Sequence, residues 1–259
     1  AREQATKATI AKLHTIIMRR YESYMTRRVP ITIPAGTPTA VAARMRLDAI
    51  RDLMRMEMPD CLTDVTTGPI TFASWPSSVA SKFVPEPALH RLYTFKPPTS
   101  THDSAQCLYL IVSLGSPEAM EQFNQSEIGY TDDGKPVFVD GWGRPIAFLR
   151  WAPGFVRPAS DIETGNAAAD AEPFDPRRLD YDAANPTAKG FHLIPLICSG
   201  GSGKTIDIND LDKTSRSIVA WNPLVDGHLS PYRDLTLGQP TAGAGKGTGC
   251  ITNHHIEAR

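Results

Sequence analysis

Residues 2–24 read REQATKATIAKLHTIIMRRYESY, and this stretch constrains the fold more than any other. Ile10, Leu13, Ile17, Tyr21 and Tyr24 recur at steps of three and four, the period of one helix face, and Ile16 widens the stripe. Arg2, Lys7, Lys12, Arg19 and Arg20 fall largely off it, as solvated charges do. Nothing breaks the pattern before Pro30, so residues 1–28 are expected to form one long helix that buries a single face, with 29–259 as a globular head. The stripe runs at full amplitude from its first residue with no cap or lead-in, which reads as the second half of a longer helix.

A chain of 259 residues can bury a sizeable core as one large domain or two small ones. With 41% hydrophobic and 21% charged residues it has a globular composition. A net charge of -1 offers no general affinity for nucleic acid or an anionic membrane. No apolar run reaches transmembrane length and no signal peptide is present. The four cysteines, Cys61, Cys107, Cys198 and Cys250, have no C-x-x-C spacing. They read as separate buried thiols, with disulfides the alternative in an oxidising compartment.

After a Pro-rich connector (residues 28–38), Thr37 and Pro38 form the cap and first-turn pair of a second helix, with Val41, Met45, Ile50, Leu53 and Met54 on its face and Pro59 ending it. Six prolines cut residues 61–100 into short pieces, with a short helix expected at 77–83. SAQCLYLIVSL (104–114) is helix or buried strand. Ser116 and Pro117 open a short helix. Val137–Val139 and Ile146–Trp151 read as strands around a chain reversal at DGWGRP, and Phe191–Cys198 as another. Residues 206–211 and 217–221 read as a further strand or helical turn. Residues 156–190 are rich in Pro, Asp and Ala without periodicity and read as a long surface insertion. Helices first and strands later predict an α+β fold, the long helix packed on a small antiparallel sheet.

GSGKT (Gly201–Thr205) carries the end of a phosphate-binding loop, but the first glycine of that motif would fall at Cys198 and no helix signal follows. A nucleotide-binding enzyme using Gly200–Thr205 is therefore an alternative to a Gly-rich turn. Asp132 and Asp133, ahead of Gly134, have the hard oxygens and turn residue of a calcium loop without its full alternation. Asp207, Asn209, Asp210 and Asp212 form a second oxygen-rich stretch. His254 and His255, adjacent in sequence, point apart on a strand and make a poor joint metal site. No nucleophile or metalloprotease signature occurs, and no reaction is suggested.

The amphipathic N-terminal helix followed by DGWGRPI (Asp140–Ile146) and PLICSGGSGK (Pro195–Lys204) resembles the bacterial type IV pilin-like proteins, and more narrowly the pseudopilins of type II secretion. In the major pseudopilin, D-P-W-G-N-P-Y starts the small sheet. Here Asp140, Trp142, Gly143 and Pro145 match, while Gly141, Arg144 and Ile146 differ. That family also has a strand ending S-x-G-x-D-G-K, with which Ser199, Gly203 and Lys204 align. The family's calcium-binding Asp is absent, since Gly201 and Ser202 stand there, which leaves Ser199 and Asp207 as contributors. RRYESY (19–24), SEIG (126–129), FLRWAPGF (148–155) and ITNHHIEAR (251–259) are similar to a large-headed prepilin-type subgroup. The resemblance spans these islands and not residues 61–100 or 156–190.

It implies a non-enzymatic structural subunit, cleaved and methylated by a prepilin peptidase and anchored in the inner membrane by an apolar segment upstream of Ala1, with its head in the periplasm or outside. Its partners would be further pilin-like subunits and the secretion machinery, not nucleic acid. Calcium is the cofactor considered, with Ser199 and Asp207 as the ligands the resemblance leaves and Asp132 and Asp133 as those the acidic turn offers. An anchored ligand-binding module is the alternative within this class.

Overall fold

The computed structural model describes residues 1–76, 79, 84–203, 205–208, 227–241 and 250–255. Helix α1 (Arg2–Ser23) buries Ile10, Leu13, Ile17 and Tyr21, and Tyr24 closes the stripe just past its end. Each such apolar side chain contributes about 1.5–3 kcal/mol of burial. The buried face extends N-terminally through Thr9 and Thr6, two polar residues with partners across the fold. α1 packs on β4 (Leu196–Ser199) and β5 (Ile251–Thr252). These strands form an antiparallel sheet in the order β3–β4–β5, with β3 at Ala147–Leu149. The Tyr21 hydroxyl donates to Leu193 O at 2.8 Å. Asn253 extends the pairing by accepting from Ile197 N (2.7 Å) and donating to Pro195 O (2.8 Å). This is an α+β molecule with a long N-terminal helix and small antiparallel sheets.

Helix α2 (Thr39–Glu57) is amphipathic at its start and buried from Leu47 onward. That second half carries Asp48, Arg51, Asp52, Arg55 and Glu57 into the interior. Thr37 does not cap it. The Thr37 hydroxyl turns back to Pro34 O (2.7 Å), and the helix starts behind an extended Pro38. α3 (Leu62–Thr66) and α4 (Ala88–Thr94) occupy the Pro-rich stretch. The helix expected at 77–83 lies, apart from Val79, outside the described residues, as do 217–221 and 209–211, while 206–208 hold an isolated bridge at Ile208. SAQCLYLIVSL is helical, within α5 (Asp103–Gly115), and Pro117 opens a 3-10 turn to Gln122.

β1 (Ile128–Tyr130) pairs with β2 (Pro136–Phe138) across the Thr131–Lys135 turn. DGWGRP does reverse the chain, with Val139 bridged to Pro145, yet the strands it joins lie mainly in different sheets. Residues 156–190 hold neither helix nor strand beyond one isolated bridge at Ala171. They are nonetheless tied into the core, with Ser160, Glu163, Glu172, Asp175 and Asp180 all buried. Their order comes from side chains that bond backbone. Asp175 accepts from Asp180 N (2.8 Å), and Arg178 donates to Ala167 O (2.9 Å). Cys61, Cys107 and Cys198 are separate buried thiols; burial, then the nearby Asp103 carboxylate, pushes the Cys107 thiol well up.

Candidate functional site

The motif residues at 140–144 and 199 converge where α1 begins. Asp140 is buried, and its Oδ1 accepts from Trp142 N (2.8 Å) and Arg144 N (3.0 Å), closing the turn. Its Oδ2 accepts from the Ser199 hydroxyl (2.7 Å), which itself accepts from Gly201 N (3.0 Å). One carboxylate thus joins the DGWGRP turn to the end of β4. Gly141 N donates to Thr6 Oγ1 (2.9 Å). A Cβ on Gly141 would lie 2.3 Å from Arg2 O, so only glycine lets the turn approach the helix. Glu127 completes the junction by accepting from Thr9 (2.6 Å) and Lys12 (2.8 Å). Thr6 and Thr9 went unrecognised in the sequence because they are polar and precede the apolar stripe, although their i, i+3 spacing continues its phase.

Replacing Gly141 by alanine is expected to push the turn off α1 at a cost of about 1–3 kcal/mol. Hydrogen exchange checks this, with faster exchange confined to the first turns of α1 and residues 140–144. Asp140→Ala is expected to cost about 2–4 kcal/mol, because it strands two part-buried N–H groups and a buried hydroxyl. Urea denaturation reads it, and Asp140→Asn should recover part.

Asp132 and Asp133 sit exposed in the β1–β2 turn, where Asp133 accepts from the Thr131 hydroxyl. Ser199 is buried and committed to Asp140. Asp207 is near an isolated bridge of Ile208 with Pro240. Among the described residues, one trio of His, Cys, Asp or Glu brings ligand atoms within 4.8 Å of one another: Asp60, Cys61 and Asp64. None of the four expected calcium residues belongs to it. We expect chelation to leave the melting temperature unchanged; a rise with added calcium, by linkage of binding to folding, would show otherwise.

The Asp60–Cys61–Asp64 cluster is wholly buried and faces two guanidiniums. Arg150 Nη1 lies 2.8 Å from Asp64 Oδ2 and donates to Met58 O (2.8 Å), while Arg150 N donates to Asp60 Oδ2 (2.9 Å). Arg55 Nη1 is 3.9 Å from Asp64 Oδ1, and Arg55 also bonds Asp52 Oδ1, Thr67 O and Gly68 O. A divalent cation among these groups would meet two fixed positive charges, so the arrangement fits a structural ion-pair cluster.

Ser160, His254 and Glu163 are close together, with Ser160 Oγ 2.8 Å from His254 Nδ1 and Glu163 Oε2 3.9 Å from that same nitrogen. All three are buried, and Ser160 Oγ accepts from Ile162 N and Glu163 N. Burial holds the His254 imidazole down to about 3 and pushes Glu163 well up. The Ser160 hydroxyl is committed to these partners inside the protein, so the trio ties loop 160–163 to the 3-10 turn Asn253–His255. At the Gly200–Thr205 turn, Gly201–Gly203 is a single 3-10 turn and Lys204 lies outside the described residues.

No family model, curated protein or solved structure matches the chain.

Proposed function

We propose that this chain is the head-bearing part of a pilin-like structural subunit of a secretion or pilus-like filament, without catalytic activity. The observation that carries this reading is the junction at the start of α1. A long helix lays one face on a small antiparallel sheet, and Asp140 and Ser199, from the two motif islands of the resemblance, are joined by a hydrogen bond beside it. The α1 surface away from the core carries Arg2, Glu3, Gln4, Thr15, Arg19 and Glu22, all exposed. No helix among the described residues is long and apolar enough to cross a membrane, so anchoring on this reading falls to a segment upstream of Ala1. The subunit would reside in the cell envelope with its head in the periplasm or outside, beside other pilin-like subunits and the secretion machinery.

The test is the coding sequence directly upstream. About twenty apolar residues contiguous with α1, preceded by a prepilin-type cleavage site, are expected. The full-length product should lose mass only when a prepilin peptidase is co-expressed. A charged or Pro-rich upstream segment, or a product the peptidase leaves intact, removes this reading.

A further inference from the structure

Two surface features of the head match each other. The first is a groove of about 240 Å³ where α1 ends, between α2 and residues 173–179. Tyr24, Leu47 and Phe174 give it an apolar lining, and the exposed Arg46 and Arg177 line it too. Among the described residues no carboxylate pairs with either arginine. Asp175, only 3% exposed, also lines the groove, and its Oδ1 has no hydrogen-bond partner among the described residues. Its other oxygen is spent on Asp180 N. The groove therefore presents an apolar slot and two cations. An aromatic ring followed by acidic groups meets both requirements.

The second feature is the tip of the β1–β2 hairpin. Tyr130 is 74% exposed, an unusual position for a large aromatic ring. Asp132 and Asp133 follow it, exposed, in a turn closed by Thr131 N to Lys135 O (2.9 Å) and by Gly134 at φ 76°. The tip is thus an exposed aromatic ring with a hydroxyl and two carboxylates beside it, that of Asp133 bonded to the Thr131 hydroxyl.

We infer that the hairpin tip of one copy docks into the arginine-lined groove of a second copy of this chain. Tyr130 enters the slot against Tyr24, Leu47 and Phe174, while Asp132 and Asp133 meet Arg46 and Arg177. Buried tyrosines flanked by arginine pairs are the kind of residue that carries binding energy in small interfaces. The tip does not serve its own groove. Glu127, at the foot of β1, is bonded to Thr9 and Lys12, whereas the groove starts at Tyr24, about 18 Å further along the helix. Contact between two different patches is heterologous, so it continues from copy to copy. It uses head residues alone and does not depend on the pilin-like reading; its failure leaves that reading to the upstream-sequence test.

Sedimentation velocity on this chain, over micromolar to about 300 μM concentrations, tests the contact in the range of a small transient interface. The average mass should climb with concentration and fall back as salt screens the Arg–Asp pairs. Tyr130→Ala, which removes the tip, and Arg46→Glu with Arg177→Glu, which reverses the groove, should each weaken association at least tenfold. Circular dichroism serves as the folding control. Mixed in equal amounts, the tip variant still offers a groove and the groove variant still offers a tip, so the mixture should stop at a one-to-one dimer. A wild-type chain that stays monomeric overturns the inference. So do variants that still associate, or a mixture that stays monomeric while the wild type associates.

Discussion

Replacing Arg150 by methionine is expected to destabilise the protein by about 3–5 kcal/mol, the cost of leaving a buried ion pair without one partner. Arg150 is 0% exposed and bonded to Asp64, Met58 O and, through its backbone, Asp60, with its guanidinium 4.3 Å from the Trp151 ring. Methionine fills much of the volume but removes the nearest cation of Asp64, leaving Arg55 at 3.9 Å as the other guanidinium beside it and the Asp60 N–H as a donor at 3.3 Å. For a chain of this size the loss corresponds to a melting temperature roughly 10 °C lower. Adding Asp64→Asn should return part of it, since the stranded charge is then gone. If the double variant is as unstable as the single one, the cost lies in packing against Trp151 and not in charge. The same cluster anchors the end of α2 to the segment after α3 through Arg55, so loosening it should speed hydrogen exchange at residues 62–68.

The cluster also marks where sequence reading stopped. The α1 stripe was legible down to individual residues, because apolar period and burial coincide there. α5 lay among the alternatives, and the reversal at DGWGRP was visible from its turn residues. Arg55, Arg150, Asp52 and Asp64 were not legible as interior groups, since charged residues at such spacing are normally solvated and Asp64 and Arg150 pair across 86 positions of the chain. Strand partnership failed for a related reason. A turn fixes only local geometry, while β2 finds β1 across the preceding turn and β3 finds β4 across nearly fifty residues of coil. The 156–190 segment has no apolar period because buried carboxylates bonded to backbone take the place of apolar contacts. At the junction, Asp140 and Ser199 were visible as motif residues. Thr6 and Thr9, which tie α1 to Gly141 N and to Glu127, were not, since nothing in their sequence context separates them from surface residues.

A second large effect is expected at Glu172, and it concerns pH. Glu172 is buried, accepts from the Tyr232 hydroxyl (2.9 Å) and Phe174 N (3.2 Å), and is pushed up to about 7, chiefly by burial and against the pull of Arg51. Its folded form holds a proton over a range where the unfolded chain, titrating near 4.5, has released it. The stabilisation is therefore complete below pH 4.5 and is lost as pH rises through 7, in all about 3 kcal/mol. His254 works in the opposite direction. Its imidazole is held neutral to about 3, so stability falls as pH drops from 6.5 toward that value. Asp180, lowered to about 2 by Arg51 and Arg44 against burial, adds a loss confined to pH below 3.8. Between pH 4.5 and 6.5 the His254 slope opposes those of Glu172 and Glu163. Glu172→Gln keeps an acceptor for Tyr232 but removes the proton linkage. Its stability relative to wild type should rise by about 3 kcal/mol between pH 4.5 and 8, read from urea midpoints at matched ionic strength. A difference curve that stays level would mean that Arg51, rather than burial, sets the charge of Glu172, and that the carboxylate is ionised throughout.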